Sequence, residues 1–178
     1  MKEIKTSKAL NRAFLALKSF KRAKALLPFI NLQTDENAKS ALSEALSVAY
    51  GKPFTESQKI GSLKRDEVPV NHINTHDMII RFRMKMAAHS DGNYTIQNEF
   101  MNCVYFIYDD KGLSVEENYP YPNESLQKEI ENLLDEIISD LENIIKQCMS
   151  SGPPSTLELS NGKYRLNIEK GTNWFTRV

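Results

Sequence analysis

Residues 124–149 read ESLQKEIENLLDEIISDLENIIKQCM. Within them Leu126, Ile130, Leu133, Leu134, Ile137, Ile138, Leu141, Ile144, Ile145 and Cys148 recur at three- and four-residue steps. That period puts them on one side of a single helix, and a stripe this long must be covered by other helices or by a dimer seam. Ser150-Ser151-Gly152-Pro153-Pro154 stops the helix. Its outer face is acidic: residues 124–142 carry seven carboxylates and one cation, Lys128. Residues 1–25 are the reverse, with eight cations and one carboxylate, Glu3. Two oppositely charged amphipathic helices packed in one bundle are the plain expectation. The other reading is a basic face for RNA phosphates or acidic partners.

Working outward, Leu10, Ala13, Phe14, Leu17 and Phe20 form a helical face between Thr6 and Leu27, and Pro28 is expected to end or kink that helix. A lysine-rich amphipathic helix can also lie on a membrane surface, but this one lacks tryptophan and the core needs it. Thr34 or Asp35 can cap a second helix running to about Tyr50, with Ala38, Ala41, Leu42, Ala45, Leu46 and Ala49 inward and Gly51 as its stop. After a polar loop, Asp66-Glu67-Val68-Pro69 opens a third helix, expected to reach Ala88 and to hold all three histidines.

Beyond Gly92 the pattern turns to strands. Tyr94–Tyr108 is rich in aromatic and β-branched residues, and Asp109-Asp110-Lys111-Gly112 turns it back into Leu113–Glu117. Tyr119-Pro120-Tyr121-Pro122 is a rigid connector. A second hairpin is expected around Asn161-Gly162, pairing Leu157 and Leu159 with Tyr164, Leu166 and Ile168; Trp174 would dock the tail onto the sheet. The strands are expected to join in one small antiparallel sheet.

Length and composition bound the rest. A chain of 178 residues suits one domain, and 40% hydrophobic with 26% charged residues excludes wholesale disorder. The formal net charge of zero means no global field recruits nucleic acid or an anionic membrane, so a basic patch must be local. Two cysteines, Cys103 and Cys148, make no disulfide framework and no zinc-type pair. With no signal-peptide pattern and no apolar run of about 20 residues, the expected location is cytoplasmic, without membrane.

Chemistry concentrates in Arg81-Phe82-Arg83-Met84-Lys85-Met86-Ala87-Ala88-His89-Ser90-Asp91. His72 and His76, four apart, suggest a metal pair, but no third ligand or HExxH pattern supports it, so neither metal nor cofactor is expected. Arg83 and His89 are six apart, about 600° of rotation and roughly 9 Å of rise on a regular helix. They converge on one phosphate only if the helix unwinds near His89, the arginine reaches round, or a second subunit supplies the complementary pair. Arginine is a charged fork matched to phosphate oxygens and histidine titrates near neutrality, so together they suffice for metal-independent RNA cleavage. The structural alternative pairs Arg83 with a helix-face carboxylate and uses His89 to cap its own helix.

The segment Arg83–Asp91, with His76 seven residues before the arginine, resembles the RxKxxAHSD segment of HEPN proteins, especially their abortive-infection-like branch. Ala49-Tyr50-Gly51-Lys52-Pro53-Phe54-Thr55 resembles a stretch that precedes it in that branch. The resemblance spans about residues 36–91. It implies an all-helical bundle that dimerises so that two Arg–His pairs face one groove, and metal-independent ribonuclease activity of toxin or phage-defence type. Arg83 and His89 match the catalytic positions, and His76 matches a recurrent upstream histidine. One position departs: Met84 stands where a polar residue usually follows the arginine, which keeps open a non-catalytic domain binding nucleic acid or a protein partner.

The combined expectation is an α+β single domain over residues 1–178. A HEPN-like helical bundle occupies residues 5–91 and 124–149, and hairpins at 94–118 and 155–170 form a small antiparallel sheet. The expected catalytic set is Arg83, His89 and His76. The expected partners are RNA, a second copy of the chain, and an antitoxin or other protein.

Overall fold

A computed structural model describes residues 7–57, 60–84, 95–96, 99–100, 104–110, 112–117, 121–150, 164–166 and 175–177. Helix α1 spans Ser7–Leu32, α2 Glu36–Gly51, α3 Ile73–Phe82 and α4 Glu124–Ser150. The described part is mainly helical: α1 lies against both α2 and α4, and α3 rests on α2 and α4. Among the described residues, no helix is long and apolar enough to cross a membrane.

The α4 stripe buries as its period requires, with Leu126, Ile130, Leu133, Leu134, Ile137, Leu141 and Ile145 in the core. The charge asymmetry is used across the α1–α4 contact. Lys21 Nζ lies 2.6 Å from Glu142, and Lys24 pairs with Asp135.

Helix α1 does not end at Pro28, and its inward stripe differs from the one expected. It continues through Pro28 to Leu32. Proline removes one intrahelical amide, but Leu27 and Ile30 on either side of it are buried, so core packing holds the last turn. The inward stripe is Leu10, Ala13, Ala16, Phe20, Ala23, Leu27 and Ile30, while Phe14 is left 43% exposed. Small residues face in because α1 is flanked by two helices, and alanine lets both approach closely.

Asp35 caps α2, its carboxylate accepting from Ala38 N at 2.7 Å. Here serines replace the expected alanines: Ser40, Ser43 and Ser47 are buried beside Leu46, Ala49 and Tyr50, whereas Ala41 and Ala45 face outward. A serine is nearly as small as alanine and satisfies its hydroxyl on its own helix, as Ser43 Oγ does on Lys39 O and Ser47 Oγ on Glu44 O, both at 2.8 Å. Hydropathy alone assigns such a residue to the wrong face.

The third helix begins later than Asp66. Two 3₁₀ turns, Arg65–Glu67 and Val70–His72, precede α3, and the coil widens into a π turn at residues 83 and 84. The earlier carboxylate signal serves the first of these turns, where Glu67 accepts from Lys64 N at 2.8 Å. Residues 85–94, which include His89, lie outside the described residues.

A hairpin forms about the expected turn, but its first strand is shorter than the expected Tyr94–Tyr108. Strand β3, Val104–Asp109, pairs antiparallel with β4, Gly112–Glu117, and Gly112 supplies the turn at φ 113°. The expected single sheet is not observed. The described strands instead fall into three separate antiparallel pairs, with β1 (Thr95–Ile96) on β2 (Glu99–Phe100) and β5 (Tyr164–Leu166) on β6 (Phe175–Arg177). The Asn161-Gly162 turn, the residues around Leu157 and Trp174 lie outside the described residues, and the partner of Tyr164–Leu166 is the chain's tail. Period-two alternation marks a strand but does not name its partner. Phe175 opposite Leu166 provides the apolar cross-strand pair.

Candidate functional site

The site is built where the end of α2 meets α3. Helix α2 delivers Tyr50 and Gly51 as its last residues, and a 3₁₀ turn over Lys52–Phe54 follows without a break. Gly51 has φ −75°, so it is not a left-handed helix stop. Its role is close approach: a Cβ at this position would stand 2.5 Å from Arg83 Cδ and 3.1 Å from Nε. The Arg83 stem therefore lies directly across the glycine. Among the described residues no carboxylate pairs with the Arg83 guanidinium, so the expected alternative of a helix-face ion pair is not met there.

His76 sits two turns before Arg83, about 700° around the helix and thus nearly on the same face. It is 4% exposed, and its Nδ1 lies 2.8 Å from Tyr50 Oη. Phe54 meets the imidazole edge-on at a centroid distance of 4.5 Å, and Phe20 of α1 closes the cluster at 5.5 Å from Tyr50. Burial pushes the Tyr50 phenol far above its ordinary range, with the nearby Asp77 charge acting in the same direction. Burial likewise holds His76 below its ordinary 6.5; Asp77 opposes this and Arg65 reinforces it. With its proton on Nε2, a neutral imidazole accepts the Tyr50 O–H at Nδ1. The buried hydrogen bond ties the end of α2 to α3.

Outside the cluster, Arg65 grips Asp77 through two hydrogen bonds, Nε to Oδ1 at 2.8 Å and Nη2 to Oδ2 at 2.6 Å. These bonds hold the Asp77 carboxyl below its usual range. They also fix the 3₁₀ turn at residue 65 to the second turn of α3. Arg12 of α1 ties the same loop down by donating to Ser62 O at 3.2 Å.

His72 and His76 do not converge. His72 Nε2 lies 3.1 Å from Glu136 Oε2 on α4, while His76 turns to Tyr50. Among the described residues, no group of three or more His, Cys, Asp or Glu gathers as a metal ion would require. A cavity of about 30 Å³ under Ser43, Ile79 and Phe82 is apolar and has room for about one water, too little for a substrate.

The structure thus brings Tyr50, Gly51 and Phe54 against His76 and Arg83, and places His89 outside the described residues. The Tyr50–His76 hydrogen bond and the Gly51–Arg83 contact escape sequence reading. The one available signal is a glycine at a helix end with an arginine far along the chain, and that pairing is unspecific. Among the described residues the site offers a guanidinium whose stem lies across Gly51, a group suited to a phosphate or carboxylate. Comparison with protein-family models, with curated proteins and with solved structures returned no match.

Proposed function

We propose that this chain is a HEPN-like, metal-independent endoribonuclease of toxin or phage-defence type that works as a homodimer. The observation that carries the reading is the seat of Arg83. The arginine of one motif segment lies against the glycine of the other, with no carboxylate partner among the described residues. Two stretches more than twenty residues apart, linked in sequence only by resemblance, touch in the fold, which supports the reading.

In this reading His89 takes the proton of a ribose 2′-hydroxyl, and the oxygen attacks the adjacent phosphorus. The P–O5′ bond breaks and the leaving oxygen takes a proton, leaving a 2′,3′-cyclic phosphate and a 5′-hydroxyl. Arg83 binds the phosphate and stabilises the extra charge of the phosphorane. His76 acts as a positioning residue: through Tyr50 it holds the end of α2 against α3, and so keeps Gly51 beneath Arg83.

A second reading rests on Met84, which is 53% exposed next to Arg83. An exposed thioether there suits contact with a partner, as in a dimeric domain that binds RNA or protein without cleaving it. The test is cleavage of a mixed pool of labelled RNAs in EDTA by the wild type, Arg83→Ala and His89→Ala. Cleavage lost in both variants supports the enzyme. No cleavage by the wild type at concentrations where it is dimeric supports the binding domain.

A further inference from the structure

We infer that the groove between α1 and α2 is a docking site for an acidic amphipathic helix of a partner protein, a reading independent of catalysis at Arg83. The groove has a volume of about 770 Å³ and is bounded by α1, α2 and the segment following α2. Its floor is aliphatic and small, with Leu15 on α1 and Ala41, Ala45 and Val48 on α2. These are the outward α2 alanines that serines displaced from the core; Val48 is 49% exposed. Its rim carries Lys18, Arg22 and Lys52, all exposed and without a carboxylate partner among the described residues. Arg12 also lines it but is held by Glu67 at 3.8 Å, and Glu44 is the carboxylate on the lining.

The choice of occupant follows from what α1 does on its other flank. There Lys21 and Lys24 pair with Glu142 and Asp135 of α4, an acidic helix whose apolar stripe fills the core. Lys18 and Arg22, one helical turn apart, present a second pair of cations toward α2, over an apolar floor that no described helix covers. A helix with a leucine stripe flanked by carboxylates would complement floor and rim together, and the alanines would let its axis come close. Among the described residues that line the groove there is no aromatic ring to stack a base, which disfavours a nucleic-acid strand. Arg12 to Arg22 spans roughly 15 Å of helix, enough for about three turns of a partner.

The probe is a fluorescein-labelled peptide of about 18 residues, leucines in a helical stripe flanked by glutamates, whose anisotropy is read against the full chain. The same peptide with lysines replacing the glutamates, and an oligo-uridine of about twelve nucleotides, are the comparisons. The acidic peptide is expected to bind more tightly than either, to weaken as salt rises, and to lose roughly tenfold in affinity to Lys18→Glu/Arg22→Glu. Val48→Asp should weaken binding through the floor; all these positions are exposed, so unchanged circular dichroism and Tm are the fold controls. Equal binding of both peptides, or no response to the charge reversal, overturns the proposal. Tighter binding of the oligo-uridine would make the groove a nucleic-acid site. A dimer abolished by the same reversal, without peptide binding, would assign it to a second copy; either result also overturns the proposal.

Discussion

The stem of Arg83 occupies the space that a side chain on Gly51 would fill, so that residue 51 must be glycine for the arginine to lie where it does. Gly51 is in the right-handed helical region, where alanine would otherwise be preferred by about 0.5–1 kcal/mol. Gly51→Ala in the Arg83→Ala background is therefore expected to stabilise the protein by about that amount. With Arg83 present the gain should vanish or reverse. Urea denaturation of the two single variants and the double variant measures the contact as non-additivity. If the proposed activity holds, Gly51→Ala should lower RNA cleavage nearly as far as Arg83→Ala while leaving the fold intact.

The Tyr50–His76 hydrogen bond is buried, so removing half of it costs more than removing both halves. Tyr50→Phe leaves Nδ1 of His76 without its partner and should destabilise by about 1–3 kcal/mol. Tyr50→Phe with His76→Phe should cost less than the two single changes added together. Chemical denaturation of the four proteins checks this, and additive costs would mean that the bond is not made.

Acid should weaken the fold in two separate windows. Burial holds folded His76 below the ordinary 6.5 that the unfolded chain has. Its neutral form thus contributes stability in full above that value, and the contribution is lost as pH falls from there toward the folded value. Asp77 has its pKa depressed by Arg65, so its share persists down to about its ordinary 3.8 and disappears below it. Thermal melts between neutral pH and pH 5 should show a falling Tm whose slope is reduced in His76→Phe. Asp77→Asn should alter only the more acidic limb.

Pro28 interrupts the hydrogen-bond ladder of α1 at an exposed position. Restoring the amide with Pro28→Ala should raise stability by about 1–3 kcal/mol, the direction opposite to that of most substitutions. By contrast, Lys21→Ala or Lys24→Ala should change it by less than about 1 kcal/mol, because those ion pairs are exposed. Truncating Leu133 or Leu141 to alanine beneath them should cost about 2–5 kcal/mol. Equilibrium unfolding of the five variants gives the comparison directly.

Some of this was legible in the residues and some was not. The α4 stripe, the Asp35 cap and the Asp109–Gly112 hairpin are set by local period, capping and turn chemistry, which act over a few residues and can be read in order along the chain. The opposite charges of α1 and α4 likewise announced their pairing. Tertiary structure decided which small residues face inward: hydropathy puts Ala41 and Ala45 inside, but Ser43 and Ser47 are as easily packed once their hydroxyls bond to their own helix. It also decided that Pro28 lies within a helix, that Tyr164–Leu166 pairs with the tail, and that Gly51 and His76 receive Arg83 and Tyr50. Those outcomes depend on which surfaces meet across long separations in the chain, where packing and burial outweigh the local preferences of each residue.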